Sequence, residues 1–343
     1  MKIVDLRSDT VTRPSQAMRE VIANAEVGDD VFGDDPTVIK LQEMIAELLG
    51  KPAGIFFPSG TMSNQVGLRC LTDRGDEVII EANAHIFRYE AASGAAINGL
   101  QFNTIEGNRG VITVGQIERR IRPTNDEHQP LTTLVCLENT HNRAGGALFP
   151  LDEIERIREL CLKHGIKTYL DGARLWNASA ASGIPLNEYT KHFDLVSVCL
   201  SKGLGAPIGS VLVGDEKTIV LARRYRKAYG GGMRQVGIIA AAGMYAVEHN
   251  LHRLKDDHAR AKKIAGTLKD LPGIKLHPVE TNIVIFDVSG LDVTPEKIED
   301  DLRERGLLIV GMGGGLLRAV CHLDVDDSDI DLACGIFEDY FKG

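Results

Sequence analysis

The sequence has 343 residues, of which 43% are hydrophobic and 25% are charged, a composition typical of a soluble globular protein. Lysines and arginines number 39 against 48 aspartates and glutamates, so the formal net charge is −9, which argues against nucleic acid as the main partner. The most apolar long stretch, residues 236–247, is too short to span a bilayer. The amino-terminal residues carry charges where a signal peptide needs an apolar run, so we expect a cytoplasmic protein with no membrane partner.

At roughly 150 residues per domain, the length predicts about two domains with a core large enough to need no disulfides. The six cysteines show no CxxC spacing and mostly have apolar neighbours. We therefore predict that they are buried free thiols in a reducing compartment. They are Cys70, Cys136, Cys161, Cys199, Cys321 and Cys334.

Helical and strand patterns alternate along most of the sequence. The first clear helix signal is Asp35 followed by Pro36, a cap and a first helical position, with Gly50 as the stop. Strand-like runs then recur, several of them apolar throughout, as expected of strands covered on both faces. They are residues 54–57, 77–80, 133–137, 167–170, 195–199 and 210–213. This alternation predicts an α/β fold with a mainly parallel sheet flanked by helices.

The pattern changes after residues 230–232 to long helices, two strands and a final helix from Asp327. We predict a smaller α+β domain in this part of the chain and place the boundary near residue 245. The large domain then covers residues 1–245 and the small domain residues 246–343. The first residues of the chain are candidates to join the small domain.

Ligands of parallel sheets bind beyond the carboxyl ends of the strands, so the residues after each strand are the candidates for chemistry. After residues 54–57 the chain turns into a helix through Ser59, Gly60 and Thr61, whose free N–H groups and hydroxyls suit a phosphate. The alternative is an ordinary capped helix. Asp171 closes another apolar strand and would by itself be read as a cap.

Two further strand ends carry an amine and a flat ring. Lys202 follows an apolar strand, where partial desolvation favours the neutral amine and Schiff-base chemistry. His85 follows another strand at the start of a helix. Singly, a lysine is usually a surface group and a histidine is usually structural. Jointly, a phosphate cradle, a ring, a carboxylate and an amine are the parts that pyridoxal 5'-phosphate requires, and the strand order would place all four along one edge of the sheet.

Six motifs closely resemble those of the low-specificity L-threonine aldolases, which are pyridoxal-phosphate enzymes of the aspartate-aminotransferase-like fold, fold type I. The resemblance runs from about residue 3 to the last helix. The motifs are DLRSDTVTRP at 5–14, VGDDVFGDDP at 27–36, ENTHN at 138–142, DGAR at 171–174, LSKGL at 200–204 and GGGMRQ at 230–235.

The resemblance implies a role for each matching residue. Lys202 would bind the cofactor's aldehyde, Asp171 would pair with the pyridine nitrogen, and His85 would stack on the ring. The cofactor's remaining contacts, most of them on the phosphate side, would come from Ser59, Gly60, Thr61, Arg174 and Ser201, with Lys227 and Arg234 approaching at a subunit interface. The substrate carboxylate would be held by Ser8, Arg174 and Arg318, since two guanidinium forks and a hydroxyl can fix a carboxylate.

Two segments depart from the family pattern. The family usually carries a histidine before the strand at 133–137, near a neighbouring subunit's site, and aligning His128 with it requires a one-residue shift. Residues 311–315 are unusually rich in glycine and are read either as a flexible loop or as a mobile rim of the substrate pocket. No carboxylate completes a metal set with the remaining helical histidines, so we predict no metal site. These histidines are His249, His252 and His258.

The resemblance implies an L-threonine aldolase that cleaves L-threonine, L-allo-threonine and related β-hydroxy-α-amino acids to glycine and an aldehyde. It also implies a homotetramer with sites at the dimer interface. The general base stays open between His85, His128 and an ordered water. One alternative is an aminotransferase or β-eliminating lyase on the same fold. Another is a non-catalytic protein that only binds the cofactor, which gives no reason for Lys202, Asp171 and the two arginines to occur together.

Overall fold

The computed structural model describes residues 2–342. Within this range the strands are β1 (Val4–Asp5), β2 (Ala53–Phe57), β3 (Glu77–Glu81), β4 (Gln101–Ile105), β5 (Thr132–Glu138), β6 (Lys167–Gly172), β7 (Leu195–Cys199), β8 (Ser210–Gly214), β9 (Lys275–Leu276), β10 (Ile283–Asp287), β11 (Leu307–Leu308), β12 (Val310–Gly313) and β13 (Leu316–Val320). The helices are α1 (Gln16–Ala23), α2 (Pro36–Leu48), α3 (Gly60–Leu71), α4 (His85–Arg88), α5 (Ser93–Ala96), α6 (Val114–Glu118), α7 (Leu151–His164), α8 (Leu175–Ser182), α9 (Leu186–Thr190), α10 (Glu216–Ala228), α11 (Gly237–Asn250), α12 (Leu254–Lys269), α13 (Pro295–Glu304) and α14 (Asp327–Phe341). A 3₁₀ turn covers Asp9–Val11.

Seven strands form the large sheet in the order β2-β8-β7-β6-β5-β3-β4. The neighbours from β7 to β4 are parallel, whereas β8 is antiparallel to both β2 and β7. All strands except β8 therefore point the same way, and their carboxyl ends lie along one edge. This arrangement confirms the predicted α/β fold with a mainly parallel sheet.

Helices cover both faces of this sheet, because successive strand residues point to opposite sides. One core joins the sheet to α2, α7, α8 and α11, and the other joins it to α3 and α10. Phe56, Val135 and Val196 enter the first core, while their neighbours Ile55, Leu134 and Leu195 enter the second. Strands buried on both faces explain the apolar runs in the sequence.

The predicted cap of α2 also ties two helices together. The side chain of Asp35 accepts a hydrogen bond from the Val38 N–H at 3.1 Å, and Pro36 takes the first helical position. The same carboxylate accepts from the Gly237 N–H at 2.7 Å, at the start of α11. Gly50, just beyond the helix, has a φ of +62°, which favours glycine. One buried aspartate thus fixes the starts of α2 and α11.

The small domain contains a four-stranded antiparallel sheet in the order β12-β13-β10-β9. The amino-terminal strand β1 pairs in parallel with β11, so the first residues join this part of the fold. Apolar side chains of α11 and as far as Leu254 pack in the core of the large domain, and most of those from Ala261 onward pack in the core of the small one. Ile283, Ile285 and Val320 form a separate small cluster. We therefore propose that the domain boundary lies inside α12, later than residue 245.

No helix within residues 2–342 combines the length and the apolar character needed to cross a membrane. All six cysteines are free thiols. Five of them are buried as predicted, and Cys70 is half-buried.

Gly67 on α3 tests the packing beneath the sheet. An alanine there would place its Cβ 2.4 Å from Cε2 of the buried Tyr169 ring, so we expect Gly67→Ala to lower the free energy of unfolding by about 1–3 kcal/mol. Gly266 in α12 has open space around it, and Gly266→Ala should raise the free energy of unfolding by about 0.5–1 kcal/mol. Urea-unfolding midpoints of the two variants should move in opposite directions; midpoints moving the same way would contradict this packing.

Candidate active site

The end of β2 and the start of α3 form the predicted anion cradle. The Ser59 side chain caps the helix by accepting from the Met62 N–H at 3.2 Å. A Cβ on Gly60 would lie 2.9 Å from the Cys199 sulfur, so only glycine lets α3 start this close to the end of β7. The first-turn N–H groups at Gly60 and Thr61 have no intrahelical partner, which suits an anion. The segment is a capped helix start that also presents free donors, and phosphate binding there stays a prediction.

Asp171 lies near the end of β6 and is almost completely buried. Its carboxylate accepts hydrogen bonds from Asn64 Nδ2 at 3.1 Å and from the Ala173 N–H at 3.1 Å. Burial and the nearby Glu138 carboxylate raise the pKa of Asp171, while His85 and Lys202 act in the opposite direction. A carboxyl group in this environment gains from a further cationic partner.

His85 begins α4, beyond the end of β3. Its backbone N–H donates to Glu138 Oε2 at 2.7 Å, and its Nδ1 lies 3.0 Å from Glu90 Oε1. Ligand-type atoms of His85, Glu90 and Asp171 all lie within 4.8 Å of one another. Burial lowers the pKa of His85, but the Glu90 hydrogen bond and Asp171 outweigh it, so the pKa is raised. The structure therefore brings the predicted ring and carboxylate together.

Lys202 follows β7 on a loop that is held from both sides. The Trp176 indole donates to the Cys199 carbonyl at 2.8 Å, and Asn250 Nδ2 donates to the Leu204 carbonyl at 2.7 Å. The Lys202 ammonium is near enough to lower the pKa of both Asp171 and Asp9. The predicted amine therefore lies at the same edge as the predicted carboxylate, and Ser201 beside it is half-buried.

Arg174 and Arg318 converge on one oxygen atom. The Nη1 atoms of Arg174 and Arg318 lie 3.3 and 3.2 Å from Asn142 Oδ1. Arg318 Nη2 donates to the Arg7 carbonyl at 3.0 Å, and its Nε is buried without a hydrogen-bond partner. Burial and the neighbouring Arg174 lower the pKa of Arg318. Two guanidinium groups pushed together in this way favour the binding of an additional anion.

Asp9 holds Arg174 and was missed by sequence reasoning. Its two oxygens accept from Arg174 Nε at 2.8 Å and Nη2 at 2.7 Å, and both side chains are buried. Although burial opposes it, the pairing with Arg174 lowers the pKa of Asp9 to about 2. Its neighbour Ser8 accepts from the Thr10 N–H at 3.2 Å. The sequence feature that could have identified an acidic partner is Arg174 itself, because an arginine at a buried strand end requires a carboxylate.

Lys227 and Arg234 form no hydrogen bond or ion pair with this cluster in the part of the chain that the structure describes. Both are exposed, and Arg234 Nη1 pairs with Asp29 Oδ2 at 3.0 Å. Lys227 lies on the last turn of α10, close to Gly232. Their predicted contacts with a cofactor at a subunit interface stay a prediction.

The structure does not bring His128 to the cluster within one chain. It lies in an exposed loop before β5, where its N–H donates to Asp126 Oδ1 at 3.0 Å. The active edge is at the carboxyl end of this strand, about 20 Å away at 3.3 Å per residue. His128 could therefore reach only the site of a neighbouring subunit.

The glycine-rich segment 311–315 forms a β-hairpin and not an open loop. β12 and β13 pair across it with an irregular register between Gly311 and Gly313. Gly313, Gly314 and Gly315 have φ values of +77°, +63° and +83°, which explains the glycines. Arg143 Nη1 donates to the Met312 carbonyl at 2.8 Å and ties the hairpin to the large domain.

These residues fit pyridoxal phosphate. The glycine at the start of α3 leaves a cradle that a Cβ would fill, and the Asp171 carboxylate is buried beside a ring and an amine. The donor set matches the phosphate, the pyridine nitrogen, the ring face and the aldehyde of that cofactor. The prediction that four strand ends would supply these groups to one edge agrees with the observed topology.

Comparison with known proteins identifies the family and the fold of this chain. A family model described as beta-eliminating lyase matches residues 5–290. Low-specificity L-threonine aldolase 1 of Arabidopsis thaliana is 43% identical over 98% of this chain and 96% of its own length. The structure of a Leishmania major threonine aldolase superposes with a TM-score of 0.84 at 20% identity, covering 98% and 99% of the two chains. A structure of SPT with PLP gives a TM-score of 0.75 at 18% identity, covering 98% and 87%.

The two structural likenesses establish the fold, and the sequence matches establish the family. The chain therefore belongs to the beta-eliminating lyase family and, within it, to the low-specificity L-threonine aldolases.

Proposed function

We propose that this chain is a pyridoxal-phosphate carbon-carbon lyase that cleaves L-threonine, L-allo-threonine and related β-hydroxy-α-amino acids to glycine and an aldehyde. Acetaldehyde is the aldehyde formed from threonine. The observation that carries this function is the convergence of Lys202, Asp171 and His85 at one sheet edge, opposite the Arg174 and Arg318 pair. Relatives named as threonine aldolases over nearly the whole chain support the same reaction.

Each group at this edge has a definite task. When bound, the cofactor supplies a ring that accepts the electrons released as the Cα–Cβ bond breaks. Lys202 would hold its aldehyde, Asp171 its pyridine nitrogen and His85 its ring face. The cradle at Ser59, Gly60, Thr61 and Ser201 would hold its phosphate.

The two arginines orient the substrate. With the Ser8 hydroxyl, Arg174 and Arg318 hold the carboxylate and so fix rotation about the Cα–N bond. That rotation decides which bond at Cα is aligned for cleavage. The proton of the β-hydroxyl has three candidate acceptors. They are His85, the titratable ring beside Asp171 in this chain, a water molecule, and His128 of another subunit.

Arg318→Ala tests whether the clamp also controls the reaction. A charge-assisted hydrogen bond contributes about 1.5–3 kcal/mol, so the variant should bind threonine more weakly. Looser orientation should also raise exchange of the Cα hydrogen for deuterium relative to glycine formation. Both rates should be measured for wild type, Arg318→Ala and Arg305→Ala, a matched change at an arginine that lies over Tyr340. An unchanged ratio at reduced affinity would mean that the clamp binds without setting the geometry.

Asp9→Asn tests how Arg174 is held. Removing one partner of a buried ion pair costs about 3–5 kcal/mol, so the variant should unfold more easily at pH 7. The pKa of Asp9 in the folded chain, about 2, lies below its ordinary value of 3.8. The stability it contributes is therefore present above pH 4 and is lost as the pH falls from about 4 to 2.

The control for this change is Asp300→Asn, which removes an exposed partner of Arg303 and should shift the free energy of unfolding by less than about 1 kcal/mol. Unfolding curves should be recorded from pH 7 to pH 2. Equal losses in the two variants at pH 7 would contradict the buried role of Asp9.

A β-eliminating lyase is the second candidate, because that description belongs to the matching family model. The two activities give different products from hydroxy-amino acids. We expect glycine and acetaldehyde from threonine, with no ammonia and no requirement for a 2-oxo acid. Release of ammonia in place of glycine would favour the eliminating lyase, and a requirement for a 2-oxo acid would favour an aminotransferase.

We further propose a cytoplasmic homotetramer in which each site is completed by Lys227 and Arg234 of a second subunit. The exposure of both side chains within one chain supports this assembly. Free thiols at all six cysteines support the cytoplasmic location.

Subunit mixing tests the shared site. Lys202→Ala and Arg234→Ala chains are each expected to be inactive, yet random exchange should leave about one quarter of the sites with both residues intact. Activity should then recover to a comparable share of wild type. Lys202→Ala mixed with Asp171→Ala should recover nothing, because these two residues belong to the same chain's edge. Equal behaviour of the two mixtures, with exchange verified by mass spectrometry, would exclude a composite site.

A further inference from the structure

Glu90 is a buried carboxylate that the proposed reaction does not yet use. It is 2% exposed and lies just after α4. Its Oε1 accepts from Asn64 Nδ2 at 2.7 Å, and its Oε2 accepts from Gln65 Nε2 at 2.7 Å. Its third partner is Nδ1 of His85, 3.0 Å from Oε1. All three partners belong to residues close to the active edge.

The orientation of both amides is fixed by what lies behind them. Asn64 Oδ1 accepts from the Tyr169 hydroxyl at 2.8 Å, so its Nδ2 is the atom that points to Glu90. Burial raises the pKa of Tyr169 well above its ordinary value, which keeps that hydroxyl a donor. Gln65 Oε1 accepts from Asn98 Nδ2 at 3.0 Å, which leaves Nε2 to face Glu90. Glu90 is thus surrounded by N–H donors from α3.

This arrangement determines which nitrogen of His85 carries its proton. Both Glu90 oxygens already accept from amide N–H groups, so in the contact with His85 we place the hydrogen on Nδ1, with Glu90 Oε1 as its acceptor. Nε2 has no hydrogen-bond partner within residues 2–342, and the side chain is 32% exposed. Nε2 is then the nitrogen that can take up or release a proton at the site.

We propose that Glu90 is a positioning residue that keeps the proton of His85 on Nδ1, holds the ring in place, and leaves Nε2 to exchange protons with the substrate. The inference rests on the proposed function, because it concerns the ring assigned to the cofactor face. Asn64 also positions the neighbouring carboxylate, since the Nδ2 that donates to Glu90 also donates to Asp171 at 3.1 Å. Ring and carboxylate are therefore set by one hydrogen-bonded unit.

The other groups around His85 also raise or lower its pKa. Burial lowers the pKa of His85, as does Lys202 on the loop after β7, while Glu90 and Asp171 raise it. Glu138 at the end of β5 binds the His85 backbone N–H, and the Tyr89 ring lies 5.7 Å from the imidazole. Glu90→Gln removes one of the two carboxylates that raise the pKa and replaces an obligate acceptor with an amide, so the pKa of His85 should fall.

The test is ¹⁵N solid-state NMR of the histidine-labelled full chain loaded with pyridoxal phosphate. His85 is assigned by the signal lost in His85→Asn. We expect a protonated Nδ1 on both sides of the titration, with Nε2 as the nitrogen that titrates. Glu90→Gln should move this titration to lower pH and reduce kcat about 10- to 100-fold, the loss typical of removing a supporting partner from a functional histidine, with KM little changed. A bare Nδ1 in the wild type would overturn the proposal without needing any variant.

Glu77→Gln is the matched control. Glu77 is also buried, at the opposite end of β3, and accepts from Asn103 at 3.0 Å and Thr132 at 2.9 Å. This variant should lose stability yet keep the His85 titration and kcat. An equal shift of the titration in both variants would show only a general loosening of the fold and would overturn the proposal.

A double-mutant cycle separates an effect through His85 from a direct one. In the His85→Asn background, Glu90→Gln should cause no further loss of kcat, because the group it acts on is gone. A further loss as large as in the wild type would overturn the positioning role. The NMR result is independent of the reaction: Nδ1 protonation in a protein that forms no glycine would reject the proposed function and support this assignment.

Discussion

The site depends on supplying hydrogen-bond donors or cations to four carboxylates that are buried along the carboxyl edge of the large sheet. They are Glu81, Glu90, Glu138 and Asp171. A buried charge is costly unless it is paired or hydrogen-bonded. Glu81 accepts from His141 Nε2 at 3.0 Å and from the Gly107 N–H at 3.2 Å. Glu138 accepts from the backbone N–H groups of His85 and Asn142, and so anchors the ring on one side and the arginine-bridging amide on the other.

The fourth carboxylate, Asp171, is one of the two with the fewest hydrogen bonds, together with Glu138. It accepts two hydrogen bonds, and burial together with Glu138 raises its pKa. A protonated pyridine nitrogen beside Asp171 would supply the positive charge that stabilises its ionised carboxylate. Arg174 and Arg318 lack hydrogen-bond acceptors in the same way, because the two cations share one amide oxygen and Arg318 Nε has no partner. An excess of negative charge at one end of the site and of positive charge at the other suits an amino acid bound beside a cationic ring.

The sequence predicted the sheet well, because strands buried on both faces must be apolar and their ends must meet at one edge. Lys202, Asp171 and His85 could be found for the same reason. Asp9 and Glu90 do not follow from this pattern, because neither stands at the end of an apolar run. The partner of Asp9 is 165 residues away in the sequence, and tertiary contacts with α3 place Glu90. The edge strand β4 escaped notice because its residues Gln101, Asn103 and Thr104 break the apolar pattern. The hairpin at 311–315 was read as a loop because glycine content alone does not distinguish a turn with positive φ from an open segment.

Every role assigned at this edge depends on Lys202 being the amine that holds the cofactor. The most direct measurement is to load the full chain with pyridoxal phosphate, reduce it with borohydride, which fixes the cofactor to the lysine that holds its aldehyde, and map the labelled peptide by mass spectrometry. We expect one pyridoxyl group, on Lys202. A label on Lys227 or another lysine, with Lys202 unmodified, would contradict this assignment.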